Sequence, residues 1–286
     1  MNQKIINLFD EYTHAPLKRE DFLAKLAKLA GGTAAAMALM PVLEGKYAFA
    51  NQVSEQDEDL QIEEISYPSK NCTMKGYLAM PKNIKGKLGT VLVIHENRGL
   101  TPHIKDVTRR VAKAGYIALG IDALSPFGGT PANEDDSRAL FPKLDAKQNL
   151  ENLISGFEYL NELKNSNKKT ACVGFCWGGG MVNDLAVNYP ELDGGVAYYG
   201  RQAKVEEVPS IKAKLLLQYG GLDERVNAGI PAYEEALKAN KIDYKVYIYE
   251  GAQHAFNNDS SPARYNPEVA KLAWERTLAL FAEVLK

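Results

Sequence analysis

Residues Lys169–Met181 read KTACVGFCWGGGM. The first half is a short apolar run, as a buried strand requires, and the second half turns through glycines into a helical pattern. At the junction, Gly174-Phe175-Cys176-Trp177-Gly178 has the form G-x-C-x-G, a strand–turn–helix elbow that presents a nucleophile, here with sulfur in place of oxygen. Glycines two residues before and two after let strand and helix approach without side-chain collision, while the central residue accepts unfavourable backbone angles. The turn sets the sulfur at a helix N-terminus, where backbone N–H groups and the positive dipole end favour a thiolate and a developing oxyanion. The plainer reading is a small buried Cys in a glycine-rich turn.

Outward from this elbow the same alternation continues. QIEEISYP and MKGYLAMP alternate apolar and polar residues and read as a leading strand pair. GTVLVIHE is continuously apolar, as a strand buried on both faces is. Then come a helix from His103 to Lys113, strand YIALGID, a helix from Ala146 to Leu163, strand KTACVGF and a helix from Gly178 to Asn188. Strands LDGGVAYYG and KAKLLLQYGG, a helix from Ile230 to Asn240, strand DYKVYIYEG and a helix from Pro267 to Leu285 complete the set. The fold class is α/β, with a mostly parallel central sheet and helices on both faces, and ligands bind beyond the carboxyl ends of its strands.

A thiol with a pKa near ~8.5 needs a base at neutral pH. In this architecture the base follows the nucleophile in the chain and the acid lies between them. Of the four histidines, His14, His95 and His103 precede Cys176, and only His254 in EGAQHAFNND follows it. Asp223 in LLLQYGGLDERV is the expected acid, placed after an apolar strand; Glu224, Asp184 and Asp193 are rivals. Its role would be to fix the His254 tautomer and stabilise the imidazolium. Cys172 and Cys72 have no elbow around them and read as core and surface cysteines.

Taken in order, HENRG, RRVAKAGYIALGID, GFCWGGG, YYGRQ, GGLDERV, GAQHAFNND and AWERTLALF resemble the dienelactone hydrolase family of α/β hydrolases over about residues 62–286. The resemblance implies a Cys-His-Asp triad on Cys176, His254 and Asp223. It also implies that Glu96 of VIHENRG contacts the resting thiol and that the backbone N–H groups of Trp177 and Asn97 form the oxyanion hole. It implies no cofactor, and HEN is not a zinc motif, since no second His follows at i+4. The expected activity is hydrolysis of an ester or lactone through a covalent Cys acyl-enzyme. The alternatives are a general carboxylesterase or thioesterase on other small esters, or a noncatalytic binding protein of the same fold. The family holds its substrate carboxylate with arginines, one of them after the second strand of the central sheet. IDALSPFGGTP has no Arg there, which argues against dienelactone itself. Arg98, Arg201 and Arg264 could bind an anion from other loops, and Trp177, Tyr199 and Phe256 could wall an apolar pocket.

The chain has 286 residues, 24% of them charged, and a formal net charge of -2 without a basic run, which gives no footing for nucleic acid. Three cysteines are too few for a disulfide framework. Residues 1–50 read differently from the rest. Here a basic start, a weakly apolar run from Leu29 to Leu43, and AFA before Asn51 outline an export signal. KREDFLAK resembles the twin-arginine motif with Lys18 in place of the first arginine, and the whole segment resembles the leader of one bacterial branch of the family. Cleavage near Asn51 would place the protein in the periplasm. A retained helix from Glu20 to Ala30, packing Phe22, Leu23, Leu26 and Leu29 on the domain, would leave it cytoplasmic. The run is too short to insert stably in a membrane. Residues 51–60 are acidic and read as a linker to the domain of residues 61–286.

Overall fold

The computed structural model describes residues 1–14, 17–44 and 52–286. Three helices come first, α1 (Gln3–His14), α2 (Arg19–Ala30) and α3 (Thr33–Glu44). Then follow β1 (Leu60–Pro68), β2 (Thr73–Pro81), β3 (Leu88–Ile94), α4 (Pro102–Lys113), β4 (Ile117–Asp122), α5 (Glu134–Leu140) and α6 (Ala146–Glu162). The remainder is β5 (Ser166–Phe175), α7 (Trp177–Asn188), β6 (Gly194–Tyr198), β7 (Lys214–Gly220), α8 (Glu224–Asn227), α9 (Ile230–Ala239), β8 (Tyr244–Tyr249) and α10 (Pro267–Val284).

The continuous apolar strands occupy the middle of one eight-stranded sheet of order β1-β2-β4-β3-β5-β6-β7-β8. β1 and β2 pair antiparallel, β2 meets β4 antiparallel, and every other pairing is parallel. Every residue of β4, and all of β3 after Leu88, is buried. Both faces are covered. Ile104, Val107 and Val111 of α4 and Ala273, Leu280 and Phe281 of α10 pack on one face. On the other lie Leu153 and Phe157 of α6, Val182 and Leu185 of α7, and Tyr233 and Leu237 of α9. The chain reverses its direction of winding between β3 and β5, so the crevice beyond their carboxyl ends is where such a sheet binds ligands. His95 and Glu96 follow β3 there, and Cys176 follows β5.

The N-terminal helices form a third apolar cluster of their own. Ile5, Leu8, Phe9 and Tyr12 make the buried stripe of α1 at i, i+3, i+4 and i+7. Tyr12 stacks on Phe22 with ring centroids 4.3 Å apart, and Leu26, Met40 and Leu43 close the cluster. The expected stripe on α2 is narrower than its sequence suggests: Phe22 and Leu26 are buried, but Leu29 is 40% exposed. Its partners are α1 and α3 rather than the sheet. The acidic stretch expected to be a linker is anchored to α4. Val53 N–H donates to Asp106 at 2.8 Å, Arg109 donates to Val53 O at 2.6 Å, and Lys113 pairs with Asp57 and Asp59. The AFA motif before Asn51 lies outside the described residues. No single helix among the described residues is long and apolar enough to cross a membrane; α2 and α3 reach that length only as a pair bent by 110°.

Candidate active site

The elbow is as tight as its glycines require. Cys176 sits at φ 54°, ψ -112°, its N–H bonded to Tyr198 O at 3.0 Å, directly before the first turn of α7. A Cβ on Gly174 would lie 2.1 Å from Gly178 O, and one on Gly178 would lie 2.4 Å from Ile94 O. Both obstacles are backbone and cannot rotate away. Gly174→Ala is therefore expected to destabilise the fold by at least the ~1–3 kcal/mol of an overpacked core. The measurement is the urea midpoint, and an unchanged midpoint would show that the elbow has slack.

Beyond the end of β7, Asp223 lies in a turn and accepts Val226 N–H at 3.3 Å. Beyond β8, His254 lies in a loop and donates Nδ1–H to Asp223 Oδ2 at 2.5 Å. Both are buried. Burial alone would lower the His254 pKa, but the charges of Asp223 and Cys176 outweigh it and carry it up to about 10. Burial alone would raise Asp223, and His254 outweighs it and holds the carboxylate below its usual range. The structure thus brings Cys176, His254 and Asp223 together. The rival acids lie elsewhere: Glu224 is exposed on α8, Asp193 pairs with Lys169 and Thr170 N–H, and Asp184 with Arg201. His103 is buried against Asp259 at 2.9 Å, in a cluster with Arg110 and Asp106. Burial alone would raise Asp259, but His103 and Arg110 hold it well below the carboxylate range.

The sequence reading missed one residue of the site. His14, the last residue of α1, places Nε2 3.1 Å from Cys176 Sγ, and its ring meets that of His254 edge-on at 4.6 Å. His14 Nδ1 lies 2.8 Å from Asp10 O, a group that can only accept, so Nδ1 carries the proton and Nε2 turns its lone pair to the sulfur. Burial, then the nearby charges of His254 and Arg225, hold His14 well below the usual histidine range. The docking of α1 is specific. Arg264 grips Asp10 at 2.7 Å, Asn97 Nδ2 donates to Thr13 O at 2.6 Å, and Arg138 donates to Tyr12 O at 3.0 Å. The periodic stripe of α1 marks a helix in the sequence, but nothing local marks where it docks.

Other expectations need correction. Glu96 lines a small cavity with Cys176, yet its carboxylate is engaged by Asn258 Nδ2 at 2.7 Å and Tyr199 OH at 3.5 Å. The hydrogen-bond partner of Cys176 Sγ is His14 Nε2 at 3.1 Å. Phe256 is fully buried among Tyr198, Tyr199 and Tyr249 and belongs to the core, not to a substrate wall. Arg264 and Arg98 already hold Asp10 and Glu134. Cys172 is core, its thiol pushed up by burial, while Cys72 is half-buried rather than on the surface. A cavity of about 660 Å³ adjoins Cys176. Trp177, Tyr199 and Phe141 line it on the domain side, and Thr13, His14 and Leu17 form the N-terminal wall. Trp177 is held between His95, stacked at 5.5 Å, and Phe141 at 4.9 Å. Arg138, Arg201 and Arg225 reach the same cavity.

Comparison with known proteins gives the family of the chain. Residues 74–285 match the sequence profile of the Dienelactone hydrolase family. A Saccharolobus solfataricus protein provisionally named a carboxymethylenebutenolidase is 33% identical over 261 residues, covering 78% of this chain and 99% of its own length. An Escherichia coli polypeptide provisionally named hydrolase fragment YghX is 50% identical over 112 residues, covering 38% of this chain and 96% of the fragment. A crystal structure from Klebsiella pneumoniae, provisionally named a dienelactone hydrolase, superposes with a TM-score of 0.70 at 29% identity, covering 78% of this chain and 98% of that one. With its elbow cysteine opposite a buried His–Asp pair, and with this match from β2 to α10, the chain belongs to the dienelactone hydrolase family.

Proposed function

We propose that the protein hydrolyses a small ester or lactone through a covalent thioester on Cys176. The observation that carries this reading is the strained Cys176 at the mouth of α7, set beside a buried His254 whose Nδ1 is held by Asp223. His254 Nε2 takes the thiol proton, and the thiolate attacks the carbonyl carbon. The oxyanion forms against the backbone N–H groups of Trp177 and Asn97. Collapse breaks the C–O bond, and His254 returns the proton to the leaving alkoxide, which in a lactone stays attached to the acyl group. Water then attacks the thioester with His254 again as base, releasing the acid and the thiol. Asp223 favours the imidazolium at both stages.

Substrate choice follows from the cavity. Trp177, Phe141 and Leu17 favour an apolar acyl or alcohol part. Arg225 lines the same cavity, is exposed, and forms no ion pair among the described residues, whereas Arg201 and Arg138 hold Asp184 and Asp135. We assign Arg225 to an anionic group on the substrate. Screening p-nitrophenyl esters and lactones with and without a carboxylate tests both points. Arg225→Ala is expected to raise KM for the anionic ester about tenfold, or ~1.4 kcal/mol, and to leave the neutral ester near its original value. Equal KM changes for both would remove Arg225 from substrate recognition.

A further inference from the structure

Three metal-ligating side chains, His14, Cys176 and His254, converge in the resting site. His14 Nδ1 donates to Asp10 O and His254 Nδ1 donates to Asp223, so both imidazoles turn Nε2 into the site. His254 is 2% exposed, and its Nε2 has no hydrogen-bond partner among the described residues. Cys176 Sγ lies 3.1 Å from His14 Nε2. One nitrogen from each histidine and the sulfur all lie within 4.8 Å of one another.

We infer that His14, Cys176 and His254 form a Zn²⁺ site, and that zinc bound there withdraws the nucleophile from catalysis. Two imidazoles and a thiolate are a borderline-soft set that suits zinc rather than magnesium or calcium. A tetrahedral ion with Zn–S near ~2.3 Å and Zn–N near ~2.0 Å sets its donors about 3.3–3.6 Å apart, so the three found here need only small side-chain adjustments. Their outer partners are those of a metal site: one imidazole is backed by a carboxylate and the other by a backbone carbonyl, which fixes both tautomers. The fourth position opens on the cavity of about 660 Å³ and takes water. As zinc binds, the proton held between Cys176 and His254 leaves to solvent, so that sulfur and Nε2 both ligate, and no electrons change hands. The sulfur lone pair then points at the ion instead of a carbonyl carbon. Because His14 comes from α1, the site is complete only with the N-terminal helix docked.

This inference uses the same Cys176 and His254 as the hydrolase reading, but binding is read without substrate, so either can fail alone. The test is equilibrium dialysis of the full chain against ZnCl₂, with iodoacetamide alkylation of Cys176 and ester hydrolysis followed on the same samples. One equivalent of zinc is expected, with alkylation and hydrolysis both suppressed and both restored by EDTA. His14→Ala is expected to bind zinc at least tenfold more weakly. In the unsubstituted chain Co²⁺ is expected to give a thiolate-to-metal charge-transfer band that vanishes when Cys176 is alkylated, a readout independent of how the variant folds. Unchanged zinc affinity in folded His14→Ala, a zinc-loaded enzyme with undiminished hydrolysis, or no uptake at micromolar zinc would each overturn the site.

Discussion

Cys176→Ala protein is expected to hydrolyse no ester or lactone above the uncatalysed rate, while Cys72→Ala and Cys172→Ala keep most of the activity. The difference lies in position, not in thiol chemistry. Cys172 lies in the middle of β5, fully buried, and burial pushes its thiol up and away from ionisation. Cys72 lies at the β1–β2 turn, half-buried beside Met74. Among the described residues neither hydrogen-bonds a histidine, whereas Cys176 clusters with His14 and His254. Without the sulfur no thioester forms, and because triad members act as a unit, His254 and Asp223 alone recover little. The check is the hydrolysis rate together with mass spectrometry after substoichiometric iodoacetamide, which should find the label on Cys176. Comparable losses from all three alanine substitutions would refute the assignment of the nucleophile.

His254→Ala is expected to lower kcat by the ~10²–10⁴ that a positioned general acid–base contributes. The rival is His14, whose Nε2 touches the sulfur in the resting site. The two imidazoles differ in what lies behind them. Asp223 backs His254, and its charge stabilises the imidazolium that proton transfer creates. Behind His14 is only a backbone carbonyl, and burial together with the neighbouring charges of His254 and Arg225 keeps it neutral. An acceptor that cannot hold a proton positions the thiol but does not ionise it. Single-turnover rates of His254→Ala and His14→Ala decide the matter. A near-normal rate in the former with a collapse in the latter would move the general base to α1.

The parts of the fold that were legible in the sequence are those set by local forces. β3, β4 and the second half of β5 announce themselves because strands covered on both faces are apolar there, and the elbow announces itself because no side chain fits between Gly174 and Gly178. Chain order then pointed to His254 and Asp223. Order misled for His14: it comes 162 residues before Cys176, and only tertiary docking closes that distance. The same limit applies to the arginines. Arg264 and Arg98 stand in loops at the correct end of the sheet, but which carboxylate each one meets depends on α1 and α5, whose placement leaves no mark in the residues around the arginines. Phe256 follows close on His254, yet the tyrosines that enclose it come from β6, β8 and the loop after β6.

The docked α1 also bears on how far function can be carried from one relative to another. The shared family frame begins at residue 74, while Thr13, His14 and Leu17 supply a wall of the reaction chamber. Cys176, Asp223 and His254 thus lie within the frame, while part of the cavity wall lies outside it. Two relatives with the same elbow, histidine and aspartate, but different residues ahead of the first strand, would carry out one reaction on differently shaped molecules. A tag or fusion at the N-terminus acts on that wall too, so its effect belongs in the substrate profile rather than in solubility alone.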